Sequence, residues 1–139
     1  MTSDLETARL EVAAPPAGEV ALRTIAMPAD TNPNGDIFGG WLLSQMDIAG
    51  SVIAYERAGG RVATVAIDAM TFMQPVFVGD LVSCYASLEN EGRTSMRIKV
   101  QTYARRRGGQ NLVQVTEGMF TYVAIGDDRR SRALPAKSG

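Results

Sequence analysis

Asp30-Thr-Asn-Pro-Asn-Gly-Asp-Ile-Phe-Gly-Gly-Trp41 runs directly into Leu42-Leu-Ser-Gln-Met-Asp47-Ile-Ala-Gly-Ser-Val-Ile-Ala-Tyr55. The first half is rich in turn formers and the second reads as a helix. Between Trp41 and Tyr55 only Asp47 is charged, which is the pattern of a helix buried nearly all round. A carboxylate in such a helix is unusual, because burying it ionised is costly without a partner. Residues three and four apart share a helix face, so Gly40, Ser44, Asp47, Ser51 and Ala54 form one narrow stripe. Leu42, Met46, Ala49 and Ile53 occupy a second face and Trp41, Ile48, Val52 and Tyr55 a third. These two bulky faces are expected to pack into the core. The stripe has two readings: a close packing contact in which Asp47 is satisfied by a hydroxyl or backbone N–H, or a ligand groove carrying a carboxylate.

The loop ahead of the helix bears on that choice. A helix N-terminus offers unpaired N–H groups and partial positive charge. Gly39 and Gly40 let a ligand approach those groups closely. A donor there and Asp47 about two turns along could address one bound carbonyl. Asn32 is either an Asx-turn residue or a polar group of that site.

At this point the chain resembles a family. Leu22 through Asp47 looks like the front half of a hot-dog-fold acyl-CoA thioesterase of the YciA type. The resemblance continues through Gly60-Arg-Val-Ala-Thr-Val-Ala-Ile67, Phe72-Met-Gln-Pro-Val-Phe-Val-Gly-Asp80, Gly92-Arg-Thr-Ser95 and Phe120-Thr-Tyr-Val-Ala124, and so spans residues 19–135. It implies an α+β fold with a long central helix wrapped by an antiparallel β-sheet. It also implies assembly as a dimer, often as a trimer of dimers, with active sites between subunits. Asn32 and Asp47, from opposite chains, would carry the chemistry, and the Gly40 N–H would be the oxyanion donor. Phe38 stands where many hot-dog thioesterases have His; the YciA-like branch resembles this chain in having Phe there.

Composition narrows the chemistry independently. The chain has 139 residues, the size of one domain, and contains no histidine. Ser-His-Asp and Cys-His systems are therefore excluded within it, as is the His-based dehydratase chemistry found elsewhere in the hot-dog superfamily. A single cysteine, Cys84, leaves no zinc site and no internal disulfide, and its apolar surroundings make it a core residue. No metal or cofactor is expected. Catalysis must rest on carboxylates, amides, hydroxyls and backbone.

No apolar run approaches the ~18 residues of a membrane span, and residues 1–11 are polar and mixed in charge, unlike a secretory signal. A cytoplasmic location is the expectation. Net charge is −1, with nine acidic and four basic residues in 1–70 against six and ten in 71–139. That asymmetry suits an anionic ligand and is too mild for a nucleic-acid protein. Arg93, Arg97, Lys99 and Arg129 to Arg132, Arg130 and Arg132 among them, are candidates for the phosphates of coenzyme A, with Ser95 beside them. Arg105 to Arg107 read as a solvated loop tip.

Residues 1–18 read as a mobile tail, 19–135 as the domain and 136–139 as a C-terminal tail. The expected strands are 20–27, 61–70, 81–89, 93–104 and 111–125, with the helix over 40–57, a stop at Gly59-Gly60 and a hairpin turn at 90–92. In 93–104, Met96, Ile98 and Val100 alternate with Arg97, Lys99 and Gln101. The resulting expectation is an acyl-CoA thioesterase using Asp47 as general base or nucleophile. Ser44, Ser51 and Gly39 would line the substrate's passage. A non-catalytic acyl-CoA sensor on the same fold is the rival reading, and a purely structural dimerisation domain is a third.

Overall fold

The computed structural model describes Pro16 and residues 18–137. The expected N-terminal tail therefore lies outside the described residues apart from Pro16 and Gly18.

The elements run β1 (Glu19–Ile25), a 3-10 turn (Pro28–Asp30), α1 (Gly39–Ala58), β2 (Val62–Phe72), β3 (Leu81–Glu91), β4 (Ser95–Arg105) and β5 (Leu112–Ala124). All ladders are antiparallel and the sheet order is β1-β3-β4-β5-β2. Helix α1 lies across this sheet and contacts every strand. This is the hot-dog arrangement: one long helix wrapped by an antiparallel sheet.

Most element boundaries fall within two residues of the expectation. The β3–β4 turn differs. β3 continues to Glu91 and the reversal is made by residues 92–94, where the Gly92 N–H donates to the Ser95 carbonyl at 2.9 Å. The helix ends where Gly59 adopts φ +67° and returns its N–H to the Tyr55 carbonyl at 2.9 Å.

The core forms between one face of the sheet and one face of α1. Met96, Ile98 and Val100 of β4 and Phe120, Tyr122 and Ala124 of β5 are fully buried. From the helix, Leu42, Met46, Ala49, Gly50, Ala54 and Ala58 meet them. The small residues at its centre let the helix axis come close to the sheet. Gly50 is the tightest point, because a Cβ there would sit 2.3 Å from the Tyr122 hydroxyl oxygen.

The expectation that both bulky helix faces enter the core is corrected here. Ile48, Val52 and Tyr55 face outwards, and Tyr55 is 57% exposed. A sheet covers only one side of a single helix, so the other side of this apolar helix remains open in one chain.

β2 is open in the same way. Thr64 through Ala69 are all exposed, and among the described residues the strand has a partner, β5, on one side only. Bulges interrupt its pairing between Thr64 and Ala66 and between Asp68 and Thr71. At the second, Ala69 takes φ 52°, an uncommon conformation outside glycine.

The Arg105–Arg107 expectation also needs correction at its central residue. Arg106 is half-buried and donates to the buried Asp80 carboxylate and, at 3.0 Å, to the Pro75 carbonyl. Its guanidinium lies 4.7 Å over the Phe77 ring. Arg105 and Arg107 are exposed.

Candidate active site

Asp47 sits halfway along α1, half-buried, beside the open edge strand. Its Oδ1 accepts a hydrogen bond from Thr64 Oγ1 at 2.7 Å. The Tyr122 hydroxyl lies 2.7 Å from the Asp47 main-chain oxygen and 3.1 Å from Oδ1. Neither Thr64 nor Tyr122 was singled out from the sequence. Thr64 is one of several Thr residues on exposed strands, and Tyr122 reads as one more core aromatic; only the register of β5 against the helix brings it to Asp47. Burial raises the Tyr122 pKa well above the ordinary tyrosine value, and the neighbouring Asp47 charge adds to it. Tyr122 is therefore a donor throughout the usable pH range.

The helix start is bare. Phe38 is the N-cap residue and its side chain makes no capping bond; no acidic residue occupies the first turn. Among the described residues, the N–H groups of Gly39, Gly40 and Trp41 meet no acceptor. A Cβ at Gly40 would meet nothing within 4 Å, so no neighbouring atom crowds that side of the residue. Gly39 is flanked by the Phe72 ring, 3.8 Å from where its Cβ would lie. A cavity of about 270 Å³ adjoins this end of the helix, lined by Ile37, Gly39, Leu42, Phe72, Met73 and neighbouring residues of the β2–β3 loop.

Asn32 makes an Asx turn. Its Oδ1 accepts from the Asn34 N–H at 2.9 Å and the Asp36 N–H at 3.1 Å. Its side-chain NH₂ meets no acceptor among the described residues. Within one chain Asn32 and Asp47 share no hydrogen bond.

The small-residue stripe divides. Ala54 is buried, Ser44 exposed, and Ser51 returns its hydroxyl to the Ile48 carbonyl at 2.6 Å. Ser51 also lines a larger groove of about 580 Å³ with Val52, Tyr55, Glu56, Arg61 and Val62. This groove lies on the open side of the helix.

The basic candidates are not gathered into one cluster. Arg97 pairs with Asp68 at 3.0 Å, and Lys99 lies 3.9 Å from Glu117. Both are on the sheet face away from α1. Arg132 closes the helix C-terminus: it donates to the Ala58 carbonyl at 2.8 Å and to the Ile125 carbonyl at 3.1 Å. Arg93 and Arg130 are exposed, and Ser95 opens β4. Among the described residues no three His, Cys, Asp or Glu side chains gather as a metal site.

Asp47 and the open helix start could together serve an acyl-transfer reaction. The first is a carboxylate held by hydroxyl donors, the second a set of three backbone donors of the kind that can meet a developing oxyanion.

Known proteins agree on the type. Residues 34–109 match the profile of the Thioesterase superfamily. The chain is 50% identical over 125 residues to the acyl-CoA thioester hydrolase YciA of Escherichia coli, covering 88% of this chain and 95% of that one. Its fold superposes on a hexameric thioesterase from Yersinia pestis with a TM-score of 0.84 at 51% identity, over 88% of this chain and all of the other. A more distant acyl-CoA hydrolase from Staphylococcus aureus, solved with butyryl coenzyme A and coenzyme A, gives a TM-score of 0.76 at 26% identity, over 82% and 70% of the two chains. Alanine variants of that enzyme at one aspartate and one asparagine are also solved. Those two positions are separated by as many residues as Asn32 and Asp47 are here.

Proposed function

The chain belongs to the thioesterase superfamily, and from that premise we propose that it is an acyl-CoA thioesterase, hydrolysing acyl-CoA to a free carboxylic acid and coenzyme A with Asp47 as the reacting carboxylate. The observation that carries this reading is the hydroxyl-held Asp47 on the same helix whose N-terminal N–H groups are left open.

The thioester carbonyl would dock against the Gly40 N–H. A preorganised donor of this kind contributes about 3 kcal/mol to the transition state. Asp47 would either draw a proton from water or attack the carbonyl carbon itself to give a mixed anhydride. Gly40 and Asp47 lie seven residues apart, about 10 Å along a helix axis. An oxyanion donor must come within ~3 Å of the carbonyl oxygen, and the carboxylate within ~3 Å of the carbonyl carbon or of the attacking water. We read the site as formed by Gly40 of one chain facing Asp47 of another. Asn32, whose Oδ1 is already occupied, would offer its NH₂ group to the carbonyl or the water from the Gly40 side. The same-spaced pair varied in the S. aureus hydrolase supports both residues.

The partner would cover the open side of α1 and pair along β2. A long apolar edge strand left free is an aggregation hazard, and Val65 and Ile67 continue the apolar surface of Ile48, Val52 and Tyr55. Ile25, Met27, Phe77 and Val78 form a second exposed apolar group, suited to joining dimers into a hexamer. The groove at Ser51, Val52 and Tyr55 would become the acyl passage once covered, with Ser44 and Gly39 nearer the reacting carbonyl. The coenzyme phosphates would meet Arg93, Ser95, Arg97, Lys99, Arg130 and Arg132, some of them across subunits. Arg132 could do so only by leaving its helix-capping bonds. Among the described residues no helix is long and apolar enough to cross a membrane, and a cytoplasmic substrate pool suits this chemistry.

The test is coenzyme A thiol release from acetyl- to palmitoyl-CoA by the native protein and Asp47→Ala. Turnover by the native protein that falls about 10²-fold or more in a folded, equally assembled variant supports the reading. Equal turnover in both sinks the assignment of Asp47. Tight binding with no turnover on any chain length points to an acyl-CoA sensor instead.

A further inference from the structure

We infer that Tyr122 is the positioning residue of the Asp47 carboxylate, admitted to it by the missing side chain at Gly50. This rests on Asp47 as the reacting carboxylate.

Tyr122 rises from β5 and its ring runs nearly parallel to that of Phe120, 16° apart in plane, with centroids 6.4 Å apart. Its hydroxyl then crosses to the helix. It reaches the Asp47 main-chain oxygen at 2.7 Å and Oδ1 at 3.1 Å. A hydroxyl has one proton, so the bond is shared between the two oxygens. That sharing ties the carboxylate to the backbone that carries it. Thr64 claims Oδ1 from the other side at 2.7 Å, and no described residue donates to Oδ2. One oxygen is thus pinned from two elements and the other is presented free.

The path to this contact exists only because residue 50 is glycine. A Cβ there would lie 2.3 Å from the tyrosine oxygen and 3.0 Å from two ring carbons. Gly50 sits at an ordinary helical position, where glycine costs roughly 1 kcal/mol against alanine. No positive φ requires it there. Entry of the Tyr122 hydroxyl accounts for its presence.

Few other titratable groups face this point. On β3, Cys84 is buried with its thiol pushed up to about 11, and so is neutral. Arg97, Asp68, Lys99 and Glu117 pair on the far face of the sheet. Arg23 of β1 bonds Ser83 on that same far face. Glu56 and Arg57 lie at the distal end of α1, and Glu19 is exposed at the start of β1.

Tyr122→Phe keeps the ring and removes only the donor. It and Asp47→Asn should be assayed with butyryl-CoA, following loss of the thioester absorbance. The expected result is an unchanged assembly and KM for Tyr122→Phe, with kcat lower by about tenfold, the size of a hydrogen bond to a charged group. The loss should fall on kcat with KM unchanged, because a donor to the reacting carboxylate is removed and the substrate's contacts are not. A tyrosine kept only for packing would leave kcat at the native value. An inactive Asp47→Asn with a Tyr122→Phe indistinguishable from native in kcat overturns the inference alone. Full turnover by Asp47→Asn overturns the catalytic reading and the inference with it. As a second arm, Gly50→Ala should lower kcat in the native background and by less in Tyr122→Phe, where the hydroxyl is gone and only the two ring-carbon contacts at 3.0 Å remain. Fully additive losses would count against the contact.

Discussion

The Thr64 hydroxyl donates to Asp47 Oδ1 at 2.7 Å, and so joins the one charged residue in the middle of α1 to the free edge strand β2. The carboxylate is thus set at the boundary of the folded chain, beside its exposed edge strand. Changes to the carboxylate and to that edge should both reach the chemistry.

Asp47→Asn tests the charge without disturbing the cradle. The amide oxygen can still accept from Thr64 and Tyr122, so the fold and assembly should persist. Turnover of acyl-CoA should fall about 10²-fold or more, since neither base nor nucleophile remains. Steady-state kinetics beside size-exclusion chromatography of the same sample checks both halves.

Gly40→Pro tests the backbone donor. Proline is tolerated in the first helical turn, where its missing N–H had no intrahelical partner, and nothing within 4 Å of Gly40 obstructs a Cβ. The expected loss is about 10²-fold in kcat with circular dichroism unchanged. Retained activity would move the oxyanion donor elsewhere, with the Gly39 and Trp41 N–H groups next in line.

Val65→Lys tests the edge. Val65 is 58% exposed in the single chain, so a lysine there costs an isolated monomer little. If β2 pairs with a second copy, the substitution should yield a smaller species in sedimentation and abolish turnover. A native mass and native rate would place the partner on another surface.

Glu91→Gln tests how the helix end is held. Arg57 makes two bonds to Glu91, at 2.7 and 2.8 Å, and a third to the Pro135 carbonyl at 2.9 Å. The Arg57 hydrogen bonds hold the Glu91 carboxyl below its usual range. A carboxyl lowered by folding stabilises above its unfolded value, about 4.3, and that stability is lost as pH falls through the folded value. Glu91→Gln should therefore melt below native at pH 7, and the gap should close in acid below the ordinary glutamate range. A gap that stays constant would assign the loss to packing.

How far the sequence carries can be seen residue by residue. The helix, its glycine stop and the five strands follow from local signals: one charge between Trp41 and Tyr55, Gly59 at φ +67°, and the alternation from Met96 to Gln101. Asp47 stands out by its solitude, and Gly39-Gly40 by their place. Tyr122 and Thr64 were not legible, because their value comes from register across 75 and 17 residues of chain, which no local pattern encodes. Arg106 was misread for the same reason. Its partner Asp80 is 26 residues away and looks like a turn residue. The outward side of α1 was read as core because apolar residues destined for a partner and for the interior look alike along a chain.

Strand order has a consequence in time. β2 is written into the chain long before β5, yet β5 is its one sheet partner among the described residues, and the tyrosine that meets Asp47 lies on that last strand. Synthesis proceeds from the N-terminus at roughly 5–20 residues per second. A nascent chain therefore carries its helix for several seconds with Thr64 beside Asp47 but without the strand that brings Tyr122 to it. The carboxylate gains its second hydroxyl partner only with β5, so a chain truncated before β5 would keep Asn32, Gly40 and Asp47 and lack the completed cradle.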